Sequence, residues 1–244
     1  MLFTYDSYKN LLGQVKNFGY QITDYHSWSN YDRCVILRHD IDYDVSKAIA
    51  MAELEKQQGV KSTYFVLVTS DLYNVFSLRI SDALKKIVGC GHEIGLHFDE
   101  VKYSNLVVSE IKGKIIEECE ILGKAIGFPV TTVSMHRPSK MILDADLSIP
   151  GIINSYGSVF FKGFKYISDS RRRWRESVED IIRSLGYQRL HILTHPFWYG
   201  QEEADIHRSI REFVNHANEE RYRTMSENIT DIGSIMDLNE VLHE

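Results

Sequence analysis

The sequence is short of cysteine, has no surplus of positive charge and contains no long apolar run, and each shortage removes a class of protein. Its 244 residues include three cysteines, Cys34, Cys90 and Cys119, an odd number with no CxxC pair. That count argues against a disulfide framework or a zinc ribbon. Cys34 opens an apolar run and Cys119 lies on an apolar helical stripe, so buried free thiols in a reducing compartment, the cytoplasm, are expected. The formal net charge of -6 leaves no electrostatic footprint for nucleic acid. No stretch reaches the roughly 18 apolar residues of a transmembrane helix. The opening MLFTYDSYKN has no basic segment followed by an apolar one, so no secretory signal is expected. No glycine-rich phosphate loop or dinucleotide fingerprint is present, which leaves a kinase or dehydrogenase without support. Low-complexity segments, long linkers and repeats are lacking as well. One domain over residues 1–244 is therefore expected, with a core at about 33–200 and helices at both ends packed on it.

What is present is ordinary globular material, 43% hydrophobic and 25% charged, enough for a sizeable core. Short apolar runs alternate with helical patterns. Tyr8, Leu11, Leu12, Val15 and Phe18 keep helical spacing. Cys34 to Leu37 reads as a buried strand, and Val45, Ala48, Ile49 and Ala52 as a helix face stopping at Gly59. A strand over 63–68, a helix carrying Val75, Leu78 and Leu84, and a strand over 93–97 follow. Ile111, Ile115, Cys119, Leu122 and Ile126 mark a long helix with Pro129 just beyond it. The strand pattern returns at 131–135, once or twice within 152–166, and at 190–193. Helices are expected around Val178 to Leu185 and from Ile206 to Val214. Such alternation implies parallel βαβ units, in a barrel or a doubly wound sheet.

Both architectures place active sites at the carboxyl ends of the strands, and there the polar residues gather. Arg38-His39-Asp40-Ile41-Asp42 follows the first buried strand, His97 ends another, His136-Arg137-Pro138 follows the next, and Thr194-His195-Pro196 closes the last. If these strands are parallel neighbours, two Asp (Asp40, Asp42), three His (His97, His136, His195) and one Arg (Arg137) share one rim. Carboxylate with imidazole is the ligand set of a catalytic divalent metal such as zinc. Asp40 and Asp42, two apart on an extended segment, point to the same side. His92, five residues before His97, faces the other way in a strand, and a structural role is expected for it. Asp44 suits a helix N-cap.

Together these stretches resemble the polysaccharide deacetylase (NodB-homology) family. Arg38-His39-Asp40-Ile41-Asp42 resembles its Asp-x-Asp motif, Gly91-His92-Glu93-Ile94-Gly95-Leu96-His97 its second motif, and His136-Arg137-Pro138 its Arg-Pro motif. Asp169 with Trp174, and Leu193-Thr194-His195-Pro196, resemble the late ones. The resemblance implies a distorted, seven-stranded (β/α) barrel, and a metal-dependent hydrolase removing an N-acetyl or related group from a sugar. It further implies Asp40 as general base, His195 as general acid, Arg137 and Asp169 as their positioners, and Asp42 and His97 as metal ligands. The family's second motif carries another His four residues on, where this chain has Val101. His136 is then the first candidate for the third ligand, with Asp99 and Glu100 as alternatives.

Phe197, Trp198, Tyr199 and Trp174 are candidates to line the sugar site, since aromatic faces pack on pyranose rings. Arg171, Arg172, Arg173 and Arg175 form a basic run, and Arg173 is a candidate for an anionic group on the substrate. With a cytoplasmic setting, this suggests a nucleotide- or lipid-linked precursor of surface polysaccharide, O-antigen or capsule. The competing readings are a non-catalytic carbohydrate-binding relative and another barrel metal hydrolase.

Overall fold

The computed structural model describes residues 1–241. They fall into two compact units, one spanning Met1–Glu202 and the second running from Glu203 onward. The first opens with helix α1 (Tyr5–Asn17) and strand β1 (Gln21–Thr23). Strand β2 (Cys34–Ile41) then leads into α2 (Val45–Gln57), β3 (Thr63–Val66) into α3 (Leu78–Gly89), and β4 (Glu93–Phe98) into α4 (Val108–Ile126). After β5 (Thr132–Met135) come α5 (Lys140–Asp144), β6 (Ile153–Asn154), α6 (Ser158–Gly163), β7 (Lys165–Ser168), α7 (Val178–Ser184) and β8 (Arg189–Thr194).

Seven strands pair in the order β6-β5-β4-β3-β2-β8-β7, every pairing parallel, in an α/β fold whose sheet curls into a half-barrel. This is the distorted barrel that the family resemblance implied, one of the two architectures the alternation allowed. The short β1 adds alongside the start of β2. The centre of the sheet is buried on both faces, as parallel strands under helices must be; all eight residues of β2 are buried. Alternation sorts them. Val35 and Leu37 pack with α1 and α7 residues in the helix layer. Cys34 and Ile36 join Tyr25, Phe65, Phe160 and Phe164 inside the barrel. A second helix-layer cluster unites Ile41, Tyr64, Val66, Leu96, Phe98 and Val133 with the stripes of α2, α3 and α4.

Helix starts follow their caps: Asp44 Oδ1 accepts from Ser46 N, and Ser77 Oγ from Ile80 N. The Ser77 cap explains why α3 begins at Leu78 rather than at Val75. The strand expected to reach residue 68 stops at Val66, because the Leu67 N–H leaves the ladder to donate to Tyr73 Oη at 2.9 Å. Conversely β2 runs on to Ile41, so Arg38 to Asp40 lie on the strand itself rather than after it. The glycine-rich stretch over 152–166 resolves into β6, α6 and the start of β7.

The second unit holds the expected last helix, α8 (Ile206–Ser226), followed by α9 (Ile232–Ile235). Asp205 caps α8 by accepting from Arg208 N at 2.7 Å, and Arg208–Glu212 and Glu219–Arg223 pair along it at i,i+4. Tyr222 Oη ties the following turn by donating to Met236 O at 2.7 Å.

Candidate active site

The carboxyl ends of β2, β4, β5 and β8 bring their polar residues into one cavity. On β2 the alternation that puts Cys34 and Ile36 inside the barrel continues through Arg38 and Asp40 to Asp42. On β4 the same face carries Gly95 and then His97. Gly95 is required there: a Cβ would stand 2.5 Å from the Phe65 ring and 3.0 Å from Thr132 O.

Asp42, His97 and His136 form the centre of the site. One ligand atom from each lies within 4.8 Å of the other two. Asp42 Oδ1 is 3.3 Å from His97 Nε2 and 3.4 Å from His136 Nδ1, and the two ring nitrogens are 3.1 Å apart. Two atoms each about 2.1 Å from a zinc ion in a tetrahedral shell stand about 3.4 Å apart, so these separations match the edges of such a shell. Asp42 Oδ1 is buried without a hydrogen bond, an arrangement a cation would satisfy. Burial pushes the Asp42 carboxyl up, but the His136 and His97 rings set against it, with the charges of His97 and His195, hold it well below the ordinary carboxylate range. A carboxylate ionised under all working conditions beside two imidazoles fits a borderline divalent ion. His136 stands beside Asp42 and His97 as the third side chain of this group. Asp99 Oδ2 accepts from Arg137 Nη2 at 2.5 Å and one Glu100 oxygen accepts from the Ser139 N–H, and neither residue joins the close group of Asp42, His97 and His136.

Asp40 borders this cluster, with Oδ2 3.4 Å from His97 Nε2. It is gripped from below by Arg38, whose Nε donates to Oδ1 at 2.8 Å and Nη2 to Oδ2 at 2.7 Å. Arg38 is only 1% exposed and lies between the Phe65 and Tyr156 rings, 5.2 and 5.1 Å from their centroids. Burial raises the Asp40 carboxyl, yet the Arg38 charge and fork, with His97, bring it below its ordinary value. Arg137, expected to position Asp40, lies instead against Asp99 with its side chain 60% exposed. Arg38 was missed at the sequence level although the i, i+2 rule applied to Asp40 and Asp42 reaches it equally.

His195 faces the cluster from β8, with Nε2 3.8 Å from Asp42 Oδ2. Its Nδ1 bonds the fully buried Asp169 at 2.6 Å, and both Asp169 oxygens accept the His195 backbone N–H at 3.1 Å. Burial lowers the imidazole's proton affinity, but the Asp169 charge and hydrogen bond dominate and lift its pKa to about 9. Asp169 and His195 are brought together as expected.

The aromatic candidates divide. Tyr199 is 1% exposed and donates its hydroxyl to Asp169 Oδ2 at 3.2 Å, so it supports Asp169 and presents no face to a sugar. The half-buried Trp174 packs on the cluster of Phe3, Val178 and Tyr199. The half-buried Trp198 stands edge-on to Phe197 at 4.8 Å and to the exposed Tyr43 at 6.3 Å, the residue after Asp42. Tyr43 was not singled out from the sequence, where nothing distinguishes it from a loop residue. Arg173 is exposed, while Arg172 beside it lies over the Phe3 ring at 5.0 Å.

On the opposite, helix-layer face of the strands sits a separate polar cluster around Glu55. This buried carboxylate accepts from Tyr8 Oη at 2.5 Å, Ser62 Oγ at 2.6 Å and Tyr64 Oη at 2.8 Å, and meets His39 Nε2 at 2.9 Å. His39 Nδ1 bonds Thr194 Oγ1 at 2.6 Å. His92 belongs to this layer: its Nδ1 accepts from Ser62 N at 3.2 Å and its Nε2 bonds Ala52 O at 2.9 Å. It is the structural histidine its spacing indicated.

No protein-family model matches the chain, and no curated protein matches it in sequence. Solved structures do match. A CE4 esterase of Streptococcus mutans aligns over 70% of this chain and 77% of its own, at 17% identity and a TM-score of 0.50. The Xyl-CE4 domain of a multidomain xylanase from the hindgut metagenome of Trinervitermes trinervoides aligns over 75% and 82%, at 14% identity and a TM-score of 0.45. A CE4 family pseudoenzyme from Bacillus anthracis aligns over 75% and 61%, at 14% identity and a TM-score of 0.43. At such identities the likeness to the Streptococcus mutans esterase is one of fold.

Proposed function

We propose that this chain is a metal-dependent deacetylase that hydrolyses the N-acetyl group of a sugar. The observation that carries the reading is the convergence of Asp42, His97 and His136 within 4.8 Å, with Asp40 on one side and His195 on the other. Asp42, His97 and His136 would hold the ion, zinc being the first choice for this donor set. When bound, a divalent ion supplies Lewis-acid polarisation of an acyl oxygen and acidifies a water from a pKa of about 15.7 to near 7.

The chain's own groups then divide the proton transfers. Asp40, oriented by the Arg38 fork, takes a proton from the water as its oxygen attacks the amide carbon. His195 Nε2, protonated because Asp169 stabilises the imidazolium, gives its proton to the departing amine nitrogen as the C–N bond breaks. Acetate and a free amino sugar leave. Asp169, itself held by Tyr199 and the His195 N–H, keeps Nε2 aimed into the cavity. Trp198 and Tyr43 offer aromatic surface for a pyranose ring at the rim.

The free thiols of Cys34, Cys90 and Cys119, and the lack of a described helix long and apolar enough to cross a membrane, are compatible with a cytoplasmic setting. We accordingly favour a nucleotide- or lipid-linked precursor of surface polysaccharide as substrate, with Arg173 near its anionic part. The decisive experiment pairs divalent-metal analysis of the purified chain with acetate release from N-acetyl sugars, before and after chelation. Stoichiometric metal and chelator-sensitive acetate release are expected. Sugar binding without a divalent ion supports the alternative, a non-catalytic relative, which Val101 in place of a second motif histidine favours.

A further inference from the structure

The inner face of the barrel carries a row of buried polar atoms beside the site that the chemistry above does not use. Register sets His97 of β4 beside Ser134 of β5. One step beyond the Val133–Asn154 pair, Ser134 in turn stands beside Ser155, whose N–H donates to Val133 O at 2.9 Å. Register partners on parallel strands point to the same face. Their neighbours along the strands, Leu96, Phe98, Val133 and Met135, face the helix layer, so His97, Ser134 and Ser155 face inward together.

All three are enclosed, at 1%, 0% and 3% exposure. Each carries one buried polar atom without a hydrogen bond: His97 Nδ1, Ser134 Oγ and Ser155 Oγ. A buried polar group left unpaired costs about 1–3 kcal/mol, so three side by side call for a common purpose. Their chemistry is complementary. An imidazole that offers Nε2 to a cation carries its proton on Nδ1 and must donate it, whereas a hydroxyl accepts and passes on a proton of its own. His39 and His92, equally buried, have both ring nitrogens engaged. His97 is engaged only at Nε2, the edge facing Asp40, Asp42 and His136.

We propose that Ser134, backed by Ser155, is a positioning residue for His97. Its hydroxyl accepts the Nδ1 proton, directly or through one enclosed water, and hands its own proton toward Ser155 Oγ. This fixes the tautomer in which Nε2 is bare toward Asp42 and His136. A ligating histidine ordinarily has such a partner on its other nitrogen, and removing it typically weakens metal binding about 10–100-fold. The inference rests on the metal reading above and names what orients one of its ligands.

The test uses the full chain and two readouts. In metal-free protein at about pH 8, where an ordinary imidazole is neutral, ¹⁵N NMR reads the His97 tautomer. Zinc affinity is measured separately by competition with a chromophoric chelator. Wild type should hold the Nδ1–H form. Ser134→Ala should populate the Nε2–H form and bind zinc about 10–100-fold more weakly, while Ser134→Thr, which keeps the hydroxyl, stays within about threefold. Ser155→Ala should give a smaller loss of the same kind, and it carries the test if Ser134→Ala folds poorly. An unchanged tautomer with affinity within about twofold of wild type in both alanine variants overturns the inference and leaves the metal reading standing. Failure of wild type to bind zinc counts against the proposed function instead, and the metal-free spectrum still decides the role of Ser134.

Discussion

Arg38 and Asp40 face each other two positions apart on one strand, joined by hydrogen bonds of 2.8 and 2.7 Å inside the barrel. A planar guanidinium meeting a carboxylate with two parallel bonds fixes the acid's plane as well as its charge. Substituting Arg38 by Lys keeps the charge and loses the fork, and should lower kcat roughly 10²-fold through misorientation of Asp40. Arg38→Ala leaves a buried carboxylate unpaired and should cost about 3–5 kcal/mol of stability. Arg137→Ala, at an exposed pair, should cost less than about 1 kcal/mol. Thermal melts and kcat for the three variants decide which arginine serves Asp40; equal effects at Arg38 and Arg137 would reject the assignment.

Asp40→Asn should abolish acetate release while the metal content stays that of wild type, because Asp42, His97 and His136 are untouched. Turnover retained in this variant removes Asp40 from the proton transfer.

The His195–Asp169 pair predicts an alkaline limit. A general acid must carry its proton, and His195 is held protonated up to about 9. The rate should therefore hold through neutral pH and fall above that value. Its contribution to stability has the same sense: the folded pKa is raised above the ordinary value of 6.5, so stabilisation is complete below about 6.5 and is lost as pH rises through about 9. Asp169→Asn should move the alkaline limb of kcat downward, toward the ordinary imidazole value. An unmoved limb assigns it to another group.

Glu55 predicts the opposite dependence. Burial favours its neutral form, but the charge and hydrogen bonds of His39, with help from His92 and Ser62, bring its pKa from 4.5 to about 2. A depressed acid stabilises the fold above its unfolded pKa, and that stabilisation is lost as pH falls from about 4.5 through about 2. The depression is worth roughly 3 kcal/mol. Glu55→Gln should melt lower at neutral pH and show a shallower loss of Tm on acidification; a slope as steep as wild type's would place the acid sensitivity elsewhere.

Gly95→Ala should destabilise by about 1–3 kcal/mol, since the new methyl meets the Phe65 ring at 2.5 Å. Because His97 lies two residues further on the same face, zinc affinity should fall along with Tm. A variant as stable as wild type would show that Phe65 gives way freely.

Much of this site was readable from alternation alone. Parallel βαβ order put Asp40, Asp42, His97, His136 and His195 on one rim, and the odd spacing of His92 from His97 put His92 on the other face. Arg38 obeys the same rule, yet the resemblance to an Arg-Pro motif drew the positioning role to Arg137. Which arginine turns inward depends on where β2 ends, and the apolar run ends four residues before the strand does. The aromatic residues were not separable by sequence: Tyr199 and Trp198 are adjacent, and only packing turns one hydroxyl onto Asp169 and leaves the other ring near the rim. Strand β1 has three residues, too few for any periodicity to register.

Carrying Arg38, Asp40 and Asp42 on alternate positions of a single extended segment makes their fates inseparable. Insertion or deletion of one residue upstream in β2 would rotate the whole set toward α1 and α2 and swing His39 into the cavity. The chemistry would then vanish at once rather than by degrees, even where the strand still paired with β3 and β8.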